Sequence, residues 1–125
     1  MTASGDILVI EDDTPISDFI AEVLEDEGYT VRSAHDRASA LATLADCLPN
    51  LILCDLHLPG VSSLTLIDDI RSTVGTKVPL VVMTADVQAA QQLDMQGIAF
   101  CLLKPFSLED LLSCVTRHMP PQHLG

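Results

Sequence analysis

The chain has 125 residues and a mass of 13.4 kDa, enough for one domain with its own core and too little for a second. A formal net charge of -12 and a pI near 4.3 speak against nucleic-acid backbones and anionic membrane surfaces as partners, and favour basic proteins or metal cations. Its longest apolar runs break within about ten residues, too short to cross a bilayer, and no basic residue precedes Arg32, so it reads as soluble and without a signal peptide.

Ile7-Leu8-Val9-Ile10 is the first strand-like run, followed directly by Glu11-Asp12-Asp13. A helix is predicted next, with Thr14 as its cap, Pro15 at its first position and a stripe of Ile16, Phe19, Ile20, Val23 and Leu24, ending at Gly28. Tyr29 to Ala34 alternates and is less apolar, which suits an edge strand. Asp36 caps a second helix carrying Ala40, Leu41, Leu44 and Leu48, and Pro49 stops it.

The third strand, Leu51-Ile52-Leu53-Cys54, ends at Asp55, and Leu56 to Gly60 has turn chemistry. A third helix with Leu64, Ile67, Ile70 and Val74 closes near Gly75. Val78 to Met83 is the fourth strand, leading to Thr84, and an Ala- and Gln-rich helix with a thin apolar face runs from about Val87 to Gln96. Ala99 to Leu103 is the fifth strand, ending at Lys104. Ser107 caps the last helix, with Asp110 in the acidic position of a capping box and Leu108, Leu111, Leu112, Val115 and Met119 on its apolar side.

Strands and helices alternate five times, the pattern of an α/β domain with a parallel sheet. The domain is expected to span residues 6–119, with 1–5 as an N-terminal extension and 120–125 as a tail or the start of a linker. Cys47, Cys54, Cys101 and Cys114 form no C-x-x-C pair and read as reduced, structural thiols.

If the runs are parallel strands, Glu11, Asp12, Asp55, Thr84 and Lys104 gather on the edge where open α/β sheets bind ligands. Crowded carboxylates call for a counter-charge, and magnesium, which takes oxygen ligands and one or two carboxylates, is the natural one. Asp13 reads better as a helix cap than as a ligand. Asp55 ends an apolar strand and enters a loop that delays the next helix, a costly place for a carboxylate without a partner. Held against a cation, it can attack phosphorus and form an acyl phosphate. Lys104 follows five apolar residues and precedes Pro105, so its ammonium is expected to neutralise the carboxylates, through a salt bridge to Asp55 or Asp12, and to hold a phosphoryl oxygen.

These motifs resemble the receiver domains of two-component response regulators. The likeness covers residues 6 to 119 and rests on an ordered set: Glu11-Asp12, Asp55 within Leu53 to Gly60, Thr84-Ala85 and Lys104-Pro105-Phe106. It implies a flavodoxin-like doubly wound fold with strand order 2-1-3-4-5. It further implies Asp55 as phosphoacceptor; Glu11, Asp12, Asp55 and the backbone carbonyl of His57 as a magnesium or manganese site; Lys104 as phosphoryl clamp; and Thr84 as switch hydroxyl. The donor would be a histidine kinase or histidine phosphotransfer protein. The partner surface would be the fourth helix, fifth strand and fifth helix, with a phosphorylation-dependent homodimer as one use of it, in the cytoplasm.

One position departs from the family pattern: the aromatic three residues before the lysine is Cys101 here, with Phe100 one residue earlier and on the opposite face. His57 and Asp86, two residues beyond Asp55 and Thr84, are expected to flank the phosphoryl group and tune its lifetime. His35, His118 and His123 read as surface residues without partners. A phosphorylation-independent interaction module is the main alternative. A phosphohydrolase would place a second Asp where His57 stands, and a flavin site would not have an acidic first loop. Apart from assisting its own phosphorylation and dephosphorylation, the domain is not expected to turn over a substrate.

Overall fold

All five apolar runs pair as strands. The computed structural model describes residues 5–93 and 97–120. In chain order the elements are β1 (Asp6–Ile10), α1 (Thr14–Asp26), β2 (Thr30–Ala34), α2 (Arg37–Asp46), β3 (Leu51–Asp55), α3 (Ser63–Val74), β4 (Leu80–Thr84), α4 (Val87–Gln92), β5 (Phe100–Leu103) and α5 (Leu108–His118). The sheet is parallel throughout, in the order β2-β1-β3-β4-β5, a flavodoxin-like sandwich.

Register places the functional edge. Ile10 is level with Ala34 and Cys54, Asp55 with Met83, and Thr84 with Leu103. The residues that end or follow β1, β3, β4 and β5 therefore emerge side by side at one edge.

Alternation along each strand splits the core in two. Leu8, Ile10, Ile52, Cys54 and Val82 face Ala40, Leu44, Leu66 and Ile70 of α2 and α3. Ile7, Val9, Leu51, Leu53 and Val81 face Ile20 and Leu24 of α1 and Leu111 and Val115 of α5. Each such side chain contributes about 1.5–3 kcal/mol relative to exposure, so the central strands hold the domain together. β2 is an edge strand with only Ala34 buried.

The local signals mostly act as their chemistry dictates. Asp36 and Ser107 close reciprocal capping boxes with Ser39 and Asp110. Gly28, at φ +99°, takes the left-handed turn between α1 and β2.

Several details differ from expectation. Thr14 does not cap α1, whereas the cap role expected of Asp13 holds: Asp13 is extended and its side chain accepts from the amide of Ile16 at 3.1 Å, while Thr14 is already helical. Tyr29 is buried but precedes its strand. Helix α2 ends at Asp46, leaving Leu48 beyond it and exposed. Leu64, expected on the core stripe of α3, is 69% exposed, and Leu66 is buried in its place. Phe19 and Leu108 are also exposed. Helix α4 stops at Gln92, because Leu93 is extended; the rest of the span expected to reach Gln96 lies outside the described residues.

Candidate functional site

Glu11 follows the last residue of β1, between β2 and β3, and is fully buried. Its amide donates to the carbonyl of Ala34 at 3.0 Å. Its carboxylate accepts from the amide of Asp13 at 3.2 Å and meets Nζ of Lys104 at 2.6 Å. Asp55, also buried, ends β3 with Oδ2 3.5 Å from the same ammonium and Oδ1 accepting from the amide of His57 at 3.2 Å. Asp12 is exposed, and one oxygen from each of Glu11, Asp12 and Asp55 lies within 4.8 Å of the others.

The ammonium that faces this cluster is fixed at its root, since the amide of Lys104 donates to the carbonyl of Thr84 at 2.8 Å and extends the β4–β5 pairing. The expected ion pair of Lys104 with Asp55 is present at 3.5 Å, and a shorter, unexpected one with Glu11 at 2.6 Å stands beside it. Charge and burial compete here. Burial pushes the Glu11 carboxyl up to about 7 despite the Lys104 ammonium, which pulls the other way; Asp55 beside it adds to the rise. Burial alone would lower the Lys104 ammonium, but the Glu11 and Asp55 carboxylates outweigh it and hold the ammonium above its ordinary value.

Thr84 is fully buried at the end of β4. Its hydroxyl oxygen accepts from the amide of Asp86 at 3.0 Å and lies 3.1 Å from Nε2 of His57. His57 itself is exposed on the loop after β3. The Asp86 side chain turns to α4 instead, capping it by accepting from the amide of Ala89 at 3.1 Å, so it meets the site through its backbone. Cys101 is half-buried on β5 and packs into the core face shared with α2 and α3, where Ala89 and Leu93 of the α4 region also lie.

Two histidines expected to lack partners have them. His35 Nδ1–H donates to the carbonyl of Glu11 at 2.9 Å. The parallel register carries the signal: Ile10 pairs with Ala34, so the next residues, 11 and 35, must be neighbours. His118 stacks on Phe100 with ring centroids 5.1 Å apart and donates from Nδ1 to the carbonyl of Cys114 at 2.8 Å. His123 lies outside the described residues. Beside Lys104, a cleft of about 470 Å³ is walled by Pro15, Ile16, Phe19, Pro105 and Phe106.

This edge combines an all-oxygen acidic set suited to a hard cation, a buried carboxylate beside an ammonium, and a buried hydroxyl. The chain matches the response regulator receiver domain over residues 7–116. It is 35% identical over 116 residues to the nitrogen assimilation regulatory protein NtrX of Azorhizobium caulinodans, a match covering 90% of this chain and 25% of that protein. It thus spans about a quarter of that relative's length. Among solved structures, the receiver domain of NtrX from Brucella abortus is similar at 32% identity and a TM-score of 0.83, over 91% of this chain and 98% of that one. The response regulator TrrA from Thermotoga maritima, solved in complex with Mg(2+)-BeF, is 25% identical with a TM-score of 0.80, over 94% and 98%. Sequence, fold and the ordered edge residues agree, and the chain belongs to the response regulator receiver domain family of two-component signalling.

Proposed function

We propose that Asp55 accepts a phosphoryl group from a phosphohistidine on a histidine kinase or histidine phosphotransfer protein, and that the domain then works as a phosphorylation-controlled switch. The observation that carries this reading is the placement of Asp55, buried at the sheet edge, 3.5 Å from Lys104 Nζ and grouped with Glu11 and Asp12. An Asp55 oxygen attacks phosphorus and forms the O–P bond of an acyl phosphate while the N–P bond of the donor breaks. The donor imidazole keeps that electron pair and takes a proton from solvent.

Lys104 screens the carboxylates before transfer and holds a phosphoryl oxygen after it. The oxygen donors of Glu11, Asp12 and Asp55, with the backbone carbonyl of His57, fit magnesium or manganese. When bound, the cation supplies positive charge against the transferring phosphoryl oxygens. The Mg(2+)-BeF complex of TrrA supports this choice. The apolar cleft beside Lys104 offers the donor protein a landing surface next to the nucleophile.

Thr84 provides the hydroxyl that responds to the phosphoryl group. His57 and Asp86 tune the lifetime of the phosphorylated state. The response is read on α4, β5 and α5, where Val87, Leu103 and Leu108 are exposed, by an output domain, another protein or a second copy of the chain. The net charge of -12 keeps nucleic acid away from this domain. No helix among the described residues is long and apolar enough to cross a membrane, which suits a partner of cytoplasmic kinases. The reaction is the domain's own phosphorylation and dephosphorylation, without turnover of a separate substrate.

Incubation with acetyl phosphate in magnesium is expected to add one phosphate mass to wild type and none to Asp55→Asn, with the adduct lost when magnesium is chelated. An adduct on Asp55→Asn, or none on wild type in magnesium, would reject the reading.

A further inference from the structure

His57 touches the site twice. Its amide donates to Oδ1 of Asp55 at 3.2 Å, and its ring Nε2 lies 3.1 Å from Oγ1 of Thr84. Thr84 is fully buried, so the proton of its hydroxyl needs an acceptor. The other partner found for that hydroxyl, the amide of Asp86, is itself a donor and occupies a lone pair of the oxygen. Nε2 of His57 is then the group that accepts the hydroxyl proton, which fixes the ring as the Nδ1–H tautomer.

From this geometry we infer that His57 is a positioning residue that latches Thr84 in the resting state, and that release of its ring is how the domain reports phosphorylation. The inference rests on Asp55 being the phosphoacceptor. A hydroxyl has one proton to donate. A phosphoryl group on Asp55 brings acceptor oxygens of higher charge than a neutral imidazole nitrogen, so Thr84 gives its proton to phosphate and gives up His57. The ring is already exposed, and once released it turns into solvent at the rim between the β3–α3 loop and α4. Cys101 has too little volume to report the same movement of Thr84 as an aromatic side chain would. The latch needs no side chain at that position, because His57 spans the distance from nucleophile to switch by itself.

The test is NMR of the full chain labelled at histidine, with Mg(2+)-beryllofluoride as the phosphoryl mimic and acetyl phosphate in parallel. Loading should move the His57 Nε2 resonance from a hydrogen-bonded to a solvent-exposed position. Thr84→Val should put it there already in the resting protein, and Thr84→Ser, which keeps the hydroxyl, should restore the wild-type signal and response. His57→Ala should load faster from acetyl phosphate by roughly two- to tenfold, the equilibrium value of one neutral hydrogen bond. A His57 resonance that stays fixed while the mass adduct forms on Asp55 overturns the latch and leaves the phosphoacceptor reading standing. The latch also fails if Thr84→Val leaves resting His57 unchanged. Absence of any adduct overturns both.

Discussion

β3 and α4 border the same site and are held in opposite ways. All five residues of β3 are buried, and it pairs with a strand on each side. α4 has six residues and buries none of them, touching the core only through half-buried positions such as Ala89. Asp55 thus stands on an element as constrained as any in the sheet, matched by the equally buried and doubly paired β4, while the neighbouring surface rests on one with few anchoring contacts. The proposed phosphoryl transfer, which depends on ångström placement, and the proposed readout, which depends on movement, call for these different supports.

Substitutions on the two sides should separate accordingly. Leu53→Ala opens a cavity under β3 and is expected to destabilise the domain by about 2–5 kcal/mol, read by urea unfolding. A loss below 1 kcal/mol would remove the contrast. Lys104→Met withdraws the ammonium from Glu11 and Asp55; phosphorylation from acetyl phosphate should slow about a hundredfold, the scale of losing one preorganised electrostatic contact. An unchanged rate would show that Lys104 only balances charge.

Glu11 adds a pH dependence on the rigid side. Its carboxyl titrates near 4.5 when unfolded and is pushed up to about 7 in the fold by burial. Between those values the folded state holds a proton that the unfolded state has released. Stability from this group is therefore full below pH 4.5 and is lost as pH rises through 7, by up to about 3 kcal/mol. Metal-free unfolding of wild type and Glu11→Gln across this range should show the slope in the first and a flatter line in the second; parallel slopes would contradict it. The smallest effect belongs to α4, where Ala89→Gly should cost about 1 kcal/mol or less.

Much of this arrangement was legible in the sequence. Runs such as Leu51 to Cys54 have no polar interruption, and their short length between breakers such as Pro49 and Pro59 marks them as strands covered on both faces; each ends in a residue out of keeping with its apolar neighbours. The edge cluster follows from that pattern, whereas the strand order is an implication of the resemblance to receiver domains and not of the runs themselves. What escaped depends on geometry between elements. Leu64 and Leu66 both fit an apolar stripe, and only the approach of α3 to the sheet decides which is buried. Asp13 and Thr14 are both good caps, and the backbone selects the extended one. His35 and His118 carry no local motif, because their partners, Glu11 and Phe100, arrive through strand register and helix packing. The bond between His57 and Thr84 joins residues 27 apart in sequence and lies beyond any spacing rule.

Residue-resolved amide hydrogen exchange with and without Mg(2+)-beryllofluoride tests most directly whether chemistry and readout rest on different supports. The expected result is altered exchange across α4 and the β5–α5 edge, with β1 and β3 as protected as before. Equal exchange in α4 in both states, or a change spread evenly through β3, would contradict the account.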